Sequence, residues 1–142
     1  MQDFVHLHVH TQYSLLDGQA SVARLVDKAM KNGMKGIAVT DHGNMFGIKE
    51  FTNYVNKKNS GPKGEVKDLK KRIAGIEAGT IECEDKEAEI AACKAKIVEA
   101  ENKLFKPIIG CEMYVARRTM DLKEGKPDQS GYHLIVLRSL IH

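Results

Sequence analysis

Three histidines alternate near the start of the chain, at His6, His8 and His10. In an extended segment alternate side chains lie on one face, so the three imidazoles are predicted to lie side by side. A neutral imidazole nitrogen is a common ligand for Zn²⁺ and similar ions. Any single histidine is more simply explained as an ordinary surface or core residue, but three at this spacing indicate a metal-binding cluster.

Other side chains suited to metals follow later predicted strands or lie within them. Asp17 lies in the loop after the histidines, His42 directly follows a short apolar segment, and the other candidates are Glu112 and His133. Mixed imidazole and carboxylate ligands suit Zn²⁺ or Mn²⁺, and this many suit a site with more than one ion. Taken alone, Asp17 also suits a helix cap and Glu112 a solvated strand position, so the prediction depends on the combination.

The position of each histidine along the first predicted strand separates ligands from other roles. His8 and His10 lie nearest the C-terminal end, which is where β/α folds place their chemistry. His6 lies further from that end. We predict His8 and His10 as ligands, and His6 as either a structural histidine or a residue that supports the ligands from behind.

Apolar periodicity predicts alternating strands and helices. One helix follows Ser21 and ends at Gly33, where glycine suits the left-handed conformation after a helix. The predicted strands cover residues 3–9, 36–40, 108–115 and 132–137, and a second helix covers about 45–57. This order predicts βαβ units in a parallel sheet or barrel, with the ligand types near the C-terminal ends of strands.

Residues 60–106 interrupt this order. The glycines and proline of residues 60–64 are predicted to break the preceding helix. Apolar residues then recur three and four apart on both sides of Gly79, which predicts an antiparallel hairpin of two amphipathic helices. The first helix is basic and the second begins acidic, so the hairpin suits a DNA strand, a protein partner or only solvent.

Composition limits the class of protein more than its function. The 142 residues are 42% hydrophobic and 29% charged, with a net charge of +3 that neither demands nor excludes nucleic acid. The three cysteines form no CxxC pair, and the first residues do not resemble an export signal. The sequence therefore predicts a cytoplasmic globular protein with free thiols and no membrane span.

Four segments resemble one family in their order and spacing. They are residues 6–18 (HLHVHTQYSLLDG), 38–47 (AVTDHGNMFG), 107–115 (PIIGCEMYV) and 132–134 (YHL). Together they are similar to motifs of the PHP (polymerase and histidinol phosphatase) domains of bacterial DNA polymerase III alpha subunits. The SLLDG and TDHGNMFG strings make the resemblance more specific than the HxH pattern alone.

The resemblance implies a fold and a ligand set. The fold would be α/β, a distorted seven-stranded β/α barrel of which this chain holds part, with divalent metals at its C-terminal mouth: Zn²⁺ or Mn²⁺, with Mg²⁺ as a third candidate. Asp41 would orient the ligands, and a late Asp-x-His pair would come from strands after residue 142, so these residues alone are expected to be inactive. The implied ligands in this sequence are His8, His10, Asp17, His42, Glu112 and His133.

The resemblance also implies a domain organisation. Residues 1–137 would be the N-terminal part of the PHP domain, and the hairpin of residues 60–106 would be an insertion absent from the compact family pattern. Residues 138–142 depart from the family and are interpreted as an artefact of truncation.

Three functions are consistent with the resemblance. The first is the N-terminal region of a replicative polymerase, a nucleotidyltransferase whose partners are DNA and replisome subunits such as the proofreading exonuclease. Its metal site would perform phosphoesterase or 3′→5′ exonuclease chemistry. The second is a non-catalytic module that supports the polymerase and docks the proofreading subunit, and the third is a free-standing PHP phosphatase. Because none of the implied ligands is replaced, we expect metal binding to be retained.

Overall fold

The residues that the structure describes form a mixed α/β fold of four helices and a three-stranded sheet. The structure is a computed structural model, and it describes residues 4–119, 121–125 and 131–139. The elements in chain order are α1 (Val22–Lys31), β1 (Gly36–Val39), α2 (Ile48–Lys58), α3 (Ser60–Glu77), α4 (Lys86–Asn102), β2 (Lys106–Val115) and β3 (Tyr132–Ser139).

The three strands form one sheet in the order β1-β2-β3. β1 and β2 are parallel, with Gly36 opposite Lys106, whereas β3 runs antiparallel to β2, with Tyr132 opposite Val115. The antiparallel strand differs from the parallel sheet that the sequence predicted. A parallel connection normally contains a helix, and the polar residues between β2 and β3 have no helical apolar pattern. The described residues form three strands, fewer than the seven of the barrel that the resemblance implies.

A first strand was predicted over residues 3–9. The described part of that segment, residues 4–9, does not form a strand of the sheet. It runs beside β1, because the carbonyls of His6 and Val9 accept hydrogen bonds from Ala38 N and Thr40 N, both at 2.9 Å. The amide of Val9 donates to Thr40 Oγ1 at 2.8 Å instead of to a carbonyl. A side chain therefore takes the place of a ladder bond, and the regular pairing of a strand does not develop.

The core beneath β1 follows the predicted periodicity. Val22, Val26 and Ala29 lie on one face of α1 and are buried, and α1 packs against β1, whose four residues are all buried. Gly33 has φ +76°, the left-handed conformation predicted for the residue after this helix. Burial of three such side chains stabilises this part of the fold by several kcal/mol, at about 0.8 kcal/mol per buried methylene.

Asn56–Phe105 forms a compact unit of its own, separate from the rest of the described chain. Within it α3 and α4 pack against each other, and the turn between them includes Gly79 with φ +74°. At the other end of the hairpin, the buried side chain of Asn59 donates to Phe105 O at 2.8 Å and accepts from Phe105 N at 2.9 Å. This pair of bonds joins the start of the hairpin to its end.

The prediction of a break at residues 60–64 was wrong, since α3 begins at Ser60 and includes Pro62. Proline is tolerated in the first turn of a helix, where its missing N–H has no partner to lose. The interruption between α2 and α3 lies one residue earlier, at Asn59. Asp85 caps α4 by accepting a hydrogen bond from Ala88 N at 3.0 Å.

Among the described residues no helix has both the length and the apolar character that crossing a membrane requires. β3 continues through Arg138 and Ser139, two of the residues that the sequence analysis assigned to the C-terminal end. Residues 140–142 lie outside the described part of the chain.

Candidate metal centre

Glu112 lies at the centre of a cluster of histidines. Its carboxylate is buried, with 6% of the residue exposed. Oε2 lies 3.1 Å from His8 Nε2 and 2.6 Å from His10 Nε2, and Oε1 lies 2.6 Å from His133 Nδ1. The Nε2 atoms of His8 and His10 are themselves 3.1 Å apart. Three imidazole nitrogens therefore converge on one carboxylate.

A second group adjoins the first through His42. Its Nδ1 lies 2.7 Å from Asp17 Oδ2 and 4.0 Å from Glu112 Oε2. Its Nε2 contacts the hydroxyl of Tyr114, whose ring also meets that of His133 edge-on with centroids 5.1 Å apart. Both nitrogens of His42 are thus engaged, and the ring connects the Asp17 side of the cluster to the Glu112 side.

The sheet brings these side chains together. Beyond the end of β1, His42 bridges in parallel to Glu112, Glu112 N donates to Asp41 O at 3.1 Å, and Gly43 N donates to Glu112 O at 2.8 Å. On the other side of β2, His133 is directly opposite Tyr114. Because side chains alternate along a strand, Tyr114, His133 and Glu112 share one face of the sheet.

Asp41 fixes the loop that separates His10 from Asp17. Its buried carboxylate accepts hydrogen bonds from Thr11 N at 2.7 Å, Thr11 Oγ1 at 2.9 Å and Ser14 Oγ at 2.7 Å. Ser14 Oγ in turn accepts from His42 N at 3.0 Å. The hydrogen bonds that the Asp41 carboxylate accepts thus come from Thr11 and Ser14, which flank the segment between His10 and Asp17.

The charge of Glu112 is stabilised by its neighbours. Burial alone would raise the pKa of this carboxyl group, but hydrogen bonds from His8, His10 and His133 outweigh burial and lower the pKa to about 2. Glu112 is therefore ionised at neutral pH. A buried carboxylate held in the charged form is ready to bind a cation.

The donor set fits divalent metal ions. Three overlapping groups of side chains each place their ligand atoms within 4.8 Å of one another, and they share members. Imidazole nitrogen and carboxylate oxygen together suit Zn²⁺ and Mn²⁺. The groups are His8 with His10 and Glu112, His10 with Asp17 and His42, and His42 with Glu112 and His133.

All six side chains predicted as ligands come together in these groups, whereas His6 does not. His6 is exposed, and its ring meets Phe4 edge-on with centroids 4.8 Å apart.

Sequence reasoning missed several residues that position the site. Thr11 and Ser14 were not singled out, because hydroxyl residues are frequent in loops and carry no periodic signal. Tyr114 was not singled out either, although it alternates with Glu112 and so had to share its face. Thr40 was assigned only to a buried strand, yet its hydroxyl binds the histidine segment.

Comparison with known proteins gives a consistent result. The sequence model of the PHP domain matches residues 6–140. The DNA polymerase III subunit alpha of Treponema pallidum (strain Nichols) is 36% identical over 135 residues, which cover 94% of this chain and 8% of the relative. The corresponding subunit of Borreliella burgdorferi is 37% identical over 137 residues, again 94% of this chain and 8% of the relative. That of Aquifex aeolicus is 54% identical over 50 residues, which cover 35% of this chain and 4% of the relative.

The chain spans about 8% of the length of the first two of these relatives. The family match, by contrast, covers nearly all of the chain and includes every residue of the histidine and carboxylate cluster. The chain therefore belongs to the PHP domain family.

Proposed function

We propose that this chain is the PHP region of a DNA polymerase III alpha subunit and that its cluster binds divalent metals for phosphoester hydrolysis of the 3′→5′ exonuclease type. The observation that carries the proposal is the buried carboxylate of Glu112, on which His8, His10 and His133 converge beside the His42–Asp17 pair. Metal-assisted hydrolysis of phosphodiesters needs such a set of nitrogen and oxygen ligands.

The relatives support the larger context. Because the matched relatives are DNA polymerase III alpha subunits and the chain spans about 8% of their length, DNA synthesis is assigned to the full-length protein. That protein would be a cytoplasmic nucleotidyltransferase whose partners are DNA and other replisome subunits, such as the proofreading exonuclease. A module that only docks partners would not need an intact set of six ligands.

The three overlapping groups would hold at least two ions between them. His8, His10 and Glu112 would hold one, and His42 with Asp17 would hold another, with His133 beside Glu112. Zn²⁺ and Mn²⁺ suit this mixture better than Mg²⁺, which prefers oxygen ligands. Bound divalent ions supply a nucleophile at neutral pH and polarise the phosphoryl group.

The chain's own residues orient this chemistry. Glu112 contributes a fixed negative charge, and Asp41 holds the loop that carries Asp17 through Thr11 and Ser14. The Tyr114 hydroxyl, in contact with His42, fixes the orientation of that ring. These contacts limit movement of the ligands, and outer contacts of this kind raise metal affinity.

The proposal extends to the architecture. The described three-stranded sheet would be part of the distorted seven-stranded barrel, with residues 1–137 as its N-terminal part. The hairpin of residues 60–106 would be an insertion. Support for the insertion comes from the separate compactness of Asn56–Phe105, since the segments before and after it belong together in the other unit.

The test is an exonuclease assay on the full-length alpha subunit, purified without the proofreading subunit. We expect digestion of a 5′-labelled single strand that requires Mn²⁺ or Zn²⁺ and stops with chelator. Glu112→Gln should lower the rate by at least about 10- to 100-fold, the loss already caused by removing outer contacts of a metal site. DNA synthesis should be unchanged.

Glu77→Gln is the matched control, because it makes the same change at an exposed position on α3. It should digest DNA at the wild-type rate. Metal-loaded protein that does not digest DNA, or Glu112→Gln protein that digests it normally, would contradict the proposed chemistry.

A further inference from the structure

A cleft of about 430 Å³ opens beside the Asp17 and His42 edge of the metal centre. Its volume lies in the range of pockets that bind small organic molecules. Asp17 and His42 provide its polar side, and its other walls include Leu15, Leu16 and Phe46. The cleft therefore adjoins the cluster and differs from it in chemistry.

The apolar walls are unusually open to solvent. Leu15 is 83% exposed, Phe46 is 77% exposed and Leu16 is fully exposed, while Tyr114 on the same cleft is 61% exposed. Single exposed apolar residues are normal on protein surfaces, but several around one concave site indicate a binding surface. Two of these four side chains are aromatic.

Local hydrogen bonds order the backbone that carries these side chains. Leu16 has φ +77° and is the one non-glycine residue with positive φ among those described, a conformation that surrounding contacts must maintain. The turn around it is closed by hydrogen bonds from Asp17 N and Gly18 N to Ser14 O, at 3.0 and 2.9 Å. Phe46 N donates to Asn44 Oδ1 at 3.1 Å. The backbone of both segments that carry the walls is thus ordered by local hydrogen bonds.

We propose that this cleft binds the sugar and base of the terminal nucleotide of a nucleic-acid strand, while the phosphate of that nucleotide lies at the metal centre. The inference rests on the proposed phosphoesterase function and adds a subsite to it. Every nucleobase has an aromatic face that stacks on side chains such as Phe46 and Tyr114. The phosphate of the same nucleotide would then lie beside the metal ions that the cluster holds when loaded.

The cleft also indicates how selective this subsite is. The amide of Asn44 donates to Tyr13 O and His42 O, and its oxygen accepts from Phe46 N, so it is committed to the protein. Recognition by stacking is tolerant of base identity. We therefore expect the aromatic walls of the subsite to accept purine and pyrimidine nucleotides alike.

The test compares ligands on the Zn²⁺-loaded protein by calorimetry, with inorganic phosphate, thymidine 5′-monophosphate and deoxyadenosine 5′-monophosphate as probes. Both nucleotides should bind about tenfold more tightly than phosphate, which is within the range for stacking of one base. They should also shift the methyl NMR signals of Leu15 and Leu16. Phe46→Ala should remove the nucleotide advantage and leave phosphate affinity unchanged.

Phe4→Ala is the matched control, since Phe4 is an exposed aromatic residue outside the cleft. It should retain the nucleotide advantage. Equal binding of phosphate and nucleotides, or equal loss of both in Phe46→Ala, would overturn the subsite and favour a protein partner on this surface. If the metal-loaded protein binds neither phosphate nor nucleotide, the proposed function fails and the subsite fails with it.

Discussion

Replacement of Asp41 by asparagine tests whether the network behind the ligands positions them. Asp41 is 1% exposed, and one of its oxygens accepts from both Thr11 N and Ser14 Oγ at 2.7 Å. Its other oxygen accepts from Thr11 Oγ1 at 2.9 Å. The asparagine side chain would preserve the shape and one acceptor oxygen, but it would lose the charge and present an amide N–H₂ to the Thr11 hydroxyl.

The size of the effect follows from these bonds. Hydrogen bonds to charged groups contribute about 1.5–3 kcal/mol each and neutral ones about 1 kcal/mol. Two retained bonds that each weaken by about 1 kcal/mol give an expected loss of about 2 kcal/mol in the free energy of unfolding. Because Ser14 Oγ also accepts from His42 N, the loop would hold Asp17 and His42 less firmly. Metal affinity should fall by about 10- to 100-fold.

The assay combines urea unfolding of the metal-free protein with calorimetric titration of Zn²⁺ and Mn²⁺. Asp68→Asn on α3 is the control, because Asp68 is exposed and the substitution is the same. It should change neither quantity. If Asp41→Asn leaves both the unfolding free energy and the metal affinity at wild-type values, the reasoning about this network is refuted.

Three further predictions concern single positions. Gly43→Ala should destabilise the protein by about 1–2 kcal/mol in thermal unfolding and weaken metal binding, because Gly43 has φ +66° and an added Cβ would lie 3.0 Å from the Tyr114 ring. Asn59→Ala should cost about 2 kcal/mol or more in urea unfolding, because it leaves the buried N–H and C=O of Phe105 without partners. The pKa of Glu112 is lowered from 4.5 to about 2, so its ionised carboxylate stabilises the folded state. This stabilisation is fully present above pH 4.5 and is lost as the pH falls toward 2. Acid titrations of metal-free wild type and Glu112→Gln should therefore converge over that interval, and a constant difference would contradict the pKa argument.

Part of the cluster could be anticipated from rules of spacing, and the full set of six side chains from the family resemblance. Alternation placed His8 and His10 on one side of their segment, and the end of an apolar strand indicated His42. The network behind them was not predictable, because Ser14 meets Asp41 across 27 positions of sequence and only the folded loop brings them together. The place of Tyr114 in the site could have been predicted from the sequence, since Tyr114 alternates with Glu112 along β2.

The parts of the fold that local sequence patterns determine were predictable. The parts that depend on how strands pair were less so. The buried face of α1, the glycine after it and the two helices of the hairpin region follow apolar spacing and turn chemistry. The direction of β3 does not follow from such local patterns, because strand direction depends on how the connection crosses the sheet. The segment before Thr11 has a strand-like sequence, yet Thr40 Oγ1 takes a ladder position beside it.

The most direct test of a metal centre is anomalous X-ray diffraction from crystals grown with Mn²⁺ or Zn²⁺ and measured at the absorption edge of that metal. We predict anomalous peaks within bonding distance of His8 Nε2, His10 Nε2 and the Glu112 carboxylate, with a further peak beside His42 and Asp17. Peaks confined to other parts of the chain, or no peak at saturating metal while these side chains remain ordered, would contradict the account.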